Sequence, residues 1–158
     1  MEHVEERFYQ IKEGQLLAGA YPGSYTEQEA REKIDWLLNK GVTFFLDLTY
    51  ENEMKPYAVF LPQDIVHQRM AIIDMGIPSK EQMTLILDTI DAQIAAGQTV
   101  YVHCWAGRGR TGTTVGCYLV RHGLSGQEAL DEIVRLRDGR TDSPEAASQY
   151  DFVRNWSE

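Results

Sequence analysis

The sequence has few cysteines, few basic residues and no long apolar run. Two cysteines among 158 residues exclude a disulfide-stapled scaffold and favour a reducing compartment. No apolar run approaches the ~20 residues of a membrane-spanning helix, so we expect a cytoplasmic protein with no membrane partner. Lysine and arginine number 15 against 24 aspartates and glutamates, and the resulting net charge of −9 argues against nucleic acid as a partner.

Metal ligands are also sparse. The four histidines are scattered, and neither cysteine has a partner at ligand spacing. The sequence therefore predicts no metal site and no cofactor. A chain of this length can bury roughly 70 per cent of its unfolded surface in one core, so we expect a monomeric single domain over residues 1–158, with residues 1–13 as a loosely ordered N-terminal arm.

The most informative segment is HCWAGRGRTG, residues 103–112. A β-branched and aromatic run at residues 99–103 predicts a buried strand before it, and an apolar stretch at residues 113–121 predicts a helix after it. Glycines in the turn let successive N–H groups point to one centre, where the helix dipole also favours an anion. We expect the anion to be surrounded by Trp105, Ala106, Gly107, Arg108, Gly109 and Arg110.

A cysteine at the mouth of this loop makes it reactive as well as anion-binding. Helix N-termini favour the thiolate, so we expect Cys104 to be an ionised nucleophile at neutral pH. Arg110 offers a planar fork of donors that matches two phosphoryl oxygens. Thr111 can donate its hydroxyl to the sulfur when the thiolate leaves. His103, at the strand end, is expected to orient the loop as an accessory residue.

The string HCWAGRGRTG resembles the C-x5-R-[ST] signature loop of the cysteine-based protein tyrosine phosphatase superfamily, and within it the compact dual-specificity-like branch. The segments FFLDLT at residues 44–49, IDMGIPS at 73–79 and SPE at 143–145 also resemble prokaryotic members. The similarity extends over residues 16–156. This resemblance implies hydrolysis of phosphomonoesters through a cysteinyl-phosphate intermediate.

The resemblance also implies a general acid, because family members carry an aspartate on a mobile loop upstream of the nucleophile. Asp74 fits this role, since it follows an apolar run and precedes a glycine that can act as a hinge. Asp64, Asp88 and Asp91 compete by spacing alone, and the last two fall in a predicted solvated helix. Asp47 ends a strand and can instead order nearby backbone.

Four further residues require individual interpretation, and two of them, Trp105 and Arg108, leave two alternatives open. Trp105 either stacks on a substrate ring or packs against neighbouring loops. Arg108 either contacts a second acidic group on the substrate or pairs with a nearby carboxylate. Gln149 matches a position that lines the pocket in relatives, which suggests that it places the hydrolytic water. Cys117 is expected to be a core residue with no redox role.

Alternating strand and helix signals predict an α/β fold, a central, largely parallel sheet of four to five strands flanked by helices. Capping residues open helices at Thr26, Ser79 and Ser125, and Ser143 with Pro144 is expected to start the last one. The predicted strands are residues 15–18, 43–48, 66–73 and 100–103. The loop then lies at the carboxyl end of a strand, where open sheets bind ligands.

Three function classes follow from these observations. The first is a phosphatase for phosphotyrosine proteins, with phosphoserine and phosphothreonine proteins as further substrates. The second is a phosphatase for inositol phosphates or other small phosphorylated metabolites, which Arg108 favours. The third is a phosphate-binding pseudoenzyme, which the presence of Cys104, Arg110 and Asp74 disfavours.

Overall fold

The structure is a computed structural model that describes residues 7–158. Its five strands are β1 Tyr9–Lys12, β2 Leu16–Gly19, β3 Phe44–Asp47, β4 Val66–Arg69 and β5 Val100–His103. They form one sheet in the order β1-β2-β5-β3-β4. Strands β2, β5, β3 and β4 are parallel, and β1 pairs antiparallel with β2. The predicted α/β fold with a central, largely parallel sheet of four to five strands is confirmed, and the observed number of strands is five.

Within residues 7–158, five α-helices surround the sheet: α1 Glu27–Asn39, α2 Lys80–Ala95, α3 Gly109–Arg121, α4 Gly126–Leu136 and α5 Ala147–Arg154. Three of them begin as the sequence predicts. The side chains of Thr26, Ser79 and Ser125 each accept a hydrogen bond from the backbone N–H three residues later. Among residues 7–158, no helix is long and apolar enough to cross a bilayer.

Both faces of the sheet are buried, because successive strand residues point to opposite sides. Phe44 and Leu46 of β3 pack in a cluster with the apolar sides of α2, α3 and α4. Phe45 faces the other way, where it packs with Ile34 and Leu37 of α1. This two-sided burial explains why the strands are almost continuously apolar.

The structure corrects three boundaries. Tyr9–Lys12 forms β1, so this part of the expected N-terminal arm belongs to the sheet; residues 1–6 of that arm lie outside the described residues. β4 ends at Arg69, earlier than predicted, and Ile73 is exposed. The last helix begins at Ala147 rather than at Ser143, where the bond to Pro144 is cis.

The parallel arrangement brings three chain segments to one edge of the sheet. The chain leaves β3 at Asp47, β4 at Arg69 and β5 at His103, all at the carboxyl end of the strand. The segments at residues 48–55, 70–79 and 104–108 therefore meet there. Ligands bind at this edge in open α/β sheets. The loop with Cys104 follows β5, the middle strand of the sheet.

Candidate functional site

The segment at residues 104–108 joins β5 directly to the N-terminus of α3. The first backbone hydrogen bond of α3 is donated by the Gly112 N–H to the Arg108 carbonyl, at 3.1 Å. The N–H groups at the start of a helix have no intrahelical partner, so they are available to an anion. Gly107 has φ +72°, and a Cβ there would lie 2.5 Å from the Gly19 backbone. The close approach of β2 therefore requires glycine at this position.

Cys104 is buried in this turn with only 3% of its surface exposed. Thr111, in the first turn of α3, donates its Oγ1 hydroxyl to the Cys104 Sγ at 3.0 Å. A hydroxyl that donates to sulfur stabilises negative charge on it, as does the positive end of the helix dipole. The geometry thus brings together the predicted nucleophile and its predicted hydroxyl donor.

Arg110 lies below the loop with 1% of its surface exposed. Both terminal nitrogens of its guanidinium pair with the Glu53 carboxylate, at 2.9 and 2.7 Å. Nη1 also donates to the Ile72 carbonyl at 3.1 Å. Burial works against the charge, but these contacts outweigh it and raise the pKa of Arg110 above its ordinary value. The guanidinium is therefore a fixed cation.

The remaining donor of this guanidinium is available to a ligand. Within residues 7–158, the Nε atoms of Arg108 and Arg110 are both buried without a hydrogen-bond partner. A buried N–H without a partner is costly, and an oxyanion bound in the loop would satisfy it. This observation fits a phosphate group better than it fits a purely structural turn.

Glu53 is a residue of this site that sequence reasoning missed. It lies in the segment that follows β3, and the hydrogen bonds from Arg110 are the main reason that its pKa is lowered. The available signal was the pair of acidic residues, Glu51 and Glu53, just beyond a buried strand. A carboxylate at that strand end reaches the loop because β3 and β5 are neighbours.

Replacing Glu53 with glutamine is expected to lower kcat for p-nitrophenyl phosphate about tenfold to a hundredfold, because charge-assisted bonds to Arg110 fix the orientation of the fork. Steady-state measurements that separate kcat from KM test this prediction. The exposed neighbour Glu51 provides the matched control, Glu51→Gln. Equal kcat values for the two variants would show that Glu53 has no positioning role.

Asp74 lies on the loop between β4 and α2, close to the same arginine. Its Oδ1 is 3.4 Å from Nη2 of Arg110, and 69% of its side chain is exposed. The next residue, Met75, has φ +62°, and the Gly76 N–H closes the turn by donating to the Ile73 carbonyl. The predicted acid is thus both at the site and accessible to a substrate.

The competing carboxylates lie elsewhere. Asp47 is fully buried, and its Oδ1 accepts hydrogen bonds from the Thr49 N–H and hydroxyl at 2.9 and 2.6 Å. Burial alone would raise its pKa, but the imidazole of His103 and the bonds from His67 and Thr49 hold it well below the ordinary range. Asp47 therefore orders the backbone after β3.

The helix carboxylates Asp88 and Asp91 pair with Arg121 near the other end of α3. Asp64, the remaining competitor, is exposed in the segment before β4. Asp74 is the one of these candidates that contacts Arg110.

His103 connects the loop to the interior. Its Nδ1 is 3.2 Å from the Cys104 carbonyl and its Nε2 is 2.6 Å from the Tyr57 hydroxyl. A carbonyl only accepts, so Nδ1 donates and Nε2 accepts from Tyr57. Burial lowers the pKa of His103 to about 4, despite the opposing influence of Asp47, so the ring is neutral at pH 7. This geometry is consistent with the orienting role expected for it.

Gln149 lies beside the loop, fully buried. Its side-chain oxygen accepts from the Glu145 and Ala146 N–H groups, both at 3.0 Å, and thus serves as the N-terminal cap of α5. These bonds explain why the helix begins at Ala147. Its Nε2 donates to the Gly76 carbonyl at 3.2 Å, which links α5 to the Asp74 loop. Its placement of a hydrolytic water stays a prediction.

Trp105 is 57% exposed and borders a cavity of about 530 Å³. Tyr25 and Met54 line the same cavity, with Lys33 and Lys55 also in its wall. The Trp105 backbone is held by the Tyr21 N–H, which donates to its carbonyl at 2.9 Å. The ring is therefore not buried between loops, and its contact with a substrate stays a prediction.

Arg108 pairs with carboxylates from the segment before α5. Its Nη1 is 3.4 Å from Oδ2 of Asp142, and its Nη2 is 3.6 Å from Oε2 of Glu145. Of the two interpretations of this residue, the structure shows the pairing with neighbouring carboxylates.

Two further expectations concern the thiol of Cys117 and metal binding. Cys117 is fully buried in the core with α3, and burial raises the pKa of its thiol well above the ordinary value. The expected core role is confirmed. Over residues 7–158, histidine, cysteine, aspartate and glutamate form no group of three or more that could hold a metal ion.

Comparisons with known proteins indicate the family of the chain. The family model described as "polymorphic toxin system, DSP-PTPase phosphatase" matches residues 20–124. The phosphatidylinositol 3,4,5-trisphosphate 3-phosphatase and protein-tyrosine-phosphatase PTEN1 of Arabidopsis thaliana is 31% identical over 152 residues, which cover 90% of this chain and 36% of the relative. Phosphatidylglycerophosphate phosphatase PTPMT2 of the same plant is 34% identical over 121 residues, covering 76% of this chain and 50% of the relative.

The chain thus spans half or less of the length of these two relatives. Among solved structures, a crystal structure of Tk-PTP in a mutant form is 26% identical with a TM-score of 0.77, covering 92% of this chain and 91% of that one. The chain belongs to the dual-specificity-like family of cysteine-based protein tyrosine phosphatases.

Proposed function

We propose that the chain hydrolyses phosphomonoesters through a cysteinyl-phosphate intermediate. One observation carries this proposal: the Cys104 sulfur accepts a hydrogen bond from Thr111 in the first turn of α3, beside a fixed and partly unsatisfied arginine. A nucleophile, an anion-binding helix end and a guanidinium donor then converge on one phosphoryl group.

In the first step the Cys104 sulfur attacks phosphorus in line with the leaving oxygen. An S–P bond forms as the P–O bond to the leaving group breaks, and negative charge on the phosphoryl oxygens is stabilised by the loop N–H groups and Arg110. Asp74 donates a proton to the leaving oxygen, which otherwise departs as an alkoxide or phenoxide. Its side chain is 69% exposed next to the loop, so it is accessible to a leaving group bound there, which supports this role.

In the second step water attacks the phosphorus of the intermediate, and the Asp74 carboxylate accepts a proton from it. The S–P bond breaks, the electron pair returns to sulfur, and inorganic phosphate leaves. The Thr111 hydroxyl, 3.0 Å from Sγ, stabilises the thiolate as it is released.

For the substrate we propose phosphotyrosine proteins. The cavity beside Trp105 supports this choice, because Tyr25 and Met54 give it the apolar and aromatic wall that a tyrosine ring and its neighbours require. Phosphorylated inositols or other small metabolites are the second candidate, which relatives named as phosphatidylinositol and phosphatidylglycerophosphate phosphatases support. Turnover of a phosphotyrosyl peptide and of inositol phosphates by the same enzyme preparation separates the two, and a hundredfold preference for the inositol compounds would overturn the first.

The role of Asp74 is tested by the dependence of rate on the leaving group. Asp74→Asn is expected to lower kcat/KM for phenyl phosphate about 10²- to 10⁴-fold, because phenoxide needs a proton to leave. The loss for p-nitrophenyl phosphate, whose leaving group is more acidic, should be far smaller. An equal loss for both substrates would contradict the proton-donor role. Asp64→Asn, on an exposed segment outside the site, is the matched control.

A further inference from the structure

We infer that Asp142 and Glu145 set substrate specificity by neutralising Arg108, so that the site selects substrates with one phosphate and rejects polyphosphorylated ones. This inference rests on the proposed function and narrows its substrate class. We call the two carboxylates and Arg108 the carboxylate clamp.

The clamp is fixed to the loop through both main chain and side chain. The Ser143 hydroxyl donates to the Arg108 carbonyl at 2.6 Å, and the Asp142 and Glu145 carboxylates on either side contact the Arg108 guanidinium. Asp142 is itself held by the buried Arg137, whose Nη1 is 2.5 Å from Oδ1. These contacts hold the two carboxylates beside Arg108.

Both arginines of the loop are paired with carboxylates. Arg108 faces Asp142 and Glu145, and Arg110 faces Glu53 and Asp74. Each of these two guanidinium groups thus lies beside two carboxylates, and Asp142 also pairs with the guanidinium of Arg137. The loop N–H groups and the Arg110 Nε can still bind one phosphoryl group at short range.

A second phosphate on the substrate would meet a different environment. On the Arg108 side of the loop it would approach Asp142 and Glu145, two carboxylates of the same charge sign as the phosphate. Like charges in direct contact repel strongly near a protein surface. A phosphotyrosyl group, which carries a single phosphate and an uncharged ring, avoids this repulsion and extends toward Trp105.

The test compares two substrates that differ only in their additional phosphates: inositol monophosphate and an inositol tetrakisphosphate. The quantity measured is the ratio of kcat/KM for the tetrakisphosphate to that for the monophosphate. Glu145→Gln, which keeps the side-chain shape and removes the charge, is expected to raise this ratio about tenfold. Added salt should reduce the difference in this ratio between the wild type and Glu145→Gln, because the charges of Arg108 and Glu145 are partly exposed and are screened by ions.

Glu132→Gln is the matched control, since Glu132 also pairs with an arginine, Arg135, but on the exposed side of α4. A ratio that is unchanged in Glu145→Gln, or that rises equally in Glu132→Gln, would overturn the inference. Asp142→Asn is avoided because it would also leave the buried Arg137 without its carboxylate.

A binding measurement separates this inference from the proposed function. In the Cys104→Ser background, calorimetry of the two inositol compounds should show the same rise in relative affinity when Glu145→Gln is added, independently of turnover. No rise would overturn the inference even if catalysis is normal. Failure of the wild type to hydrolyse p-nitrophenyl phosphate, by contrast, would refute the proposed function. The binding result would then decide whether the carboxylate clamp discriminates against polyphosphorylated compounds.

Discussion

Replacing Cys104 with serine is expected to lower turnover of p-nitrophenyl phosphate by at least about 10⁴-fold, because the loss of a nucleophile removes the covalent route altogether. The serine hydroxyl is a far poorer nucleophile than a thiolate at neutral pH. The loop N–H groups and Arg110 are untouched by this change, so the variant should still bind an oxyanion such as sulfate. Initial rates, together with calorimetric titration of sulfate, test both parts of the prediction.

The second cysteine supplies the control. Cys117→Ser changes the same atom in a fully buried position of the core, where it is expected to reduce stability and to spare the chemistry. Melting temperature and kcat of the folded enzyme distinguish the two effects. A Cys104→Ser protein with the wild-type rate would rule out Cys104 as the nucleophile. A Cys117→Ser protein as inactive as Cys104→Ser would show that the loss of activity comes from loss of folded protein.

Replacing Arg110 with lysine should lower kcat about 10³-fold although the charge is kept, because a transition-state donor is lost from a water-excluded site. The guanidinium satisfies Glu53 with two nitrogens, reaches the Ile72 carbonyl with one of them, and still has Nε available. A single ammonium group cannot do all of this at once. Steady-state kinetics with p-nitrophenyl phosphate measure the loss.

Arg121→Lys is the matched control, since it is the same substitution on the same helix. Arg121 pairs with Asp88, Asp91 and Glu158, away from the loop, so its replacement should alter the free energy of unfolding rather than kcat. Similar kcat values for the two variants would contradict the role given to Arg110.

The local part of the site could be predicted from sequence because it is contained in one strand-turn-helix unit. Cys104 and Thr111 are seven residues apart, and the helix that starts between them is what brings the hydroxyl to the sulfur. Helix starts with a capping side chain were equally readable, as at Ser79 and Ser125. These features depend on chain neighbours, and chain neighbours are visible in a sequence.

Contacts across the fold could not be predicted in this way. Glu53 reaches Arg110 only because β3 and β5 are adjacent in the sheet, and no spacing rule encodes that pairing. Asp142 and Glu145 likewise meet Arg108 through the packing of a distant segment. The start of α5 was misplaced because its cap is Gln149, a residue inside the helix, rather than the Ser143 and Pro144 that precede it.

Strand β1 shows a further difficulty. Only Tyr9 of its four residues is buried, and Gln10 and Lys12 are exposed, because it is an edge strand of the sheet. Its alternation of apolar and polar residues is weak for that reason, and the sequence alone therefore predicts a loosely ordered arm there. The central strands, buried on both faces, give a much stronger signal.

The central claim is a covalent bond between phosphorus and the Cys104 sulfur. Rapid acid quench of Asp74→Asn during turnover of p-nitrophenyl phosphate, followed by mass spectrometry of the peptide that contains Cys104, tests it most directly, because loss of the base slows hydrolysis of the intermediate. We predict one added phosphoryl group on Cys104. A phosphoryl group on any other residue, or turnover without a phosphorylated enzyme, would contradict the mechanism.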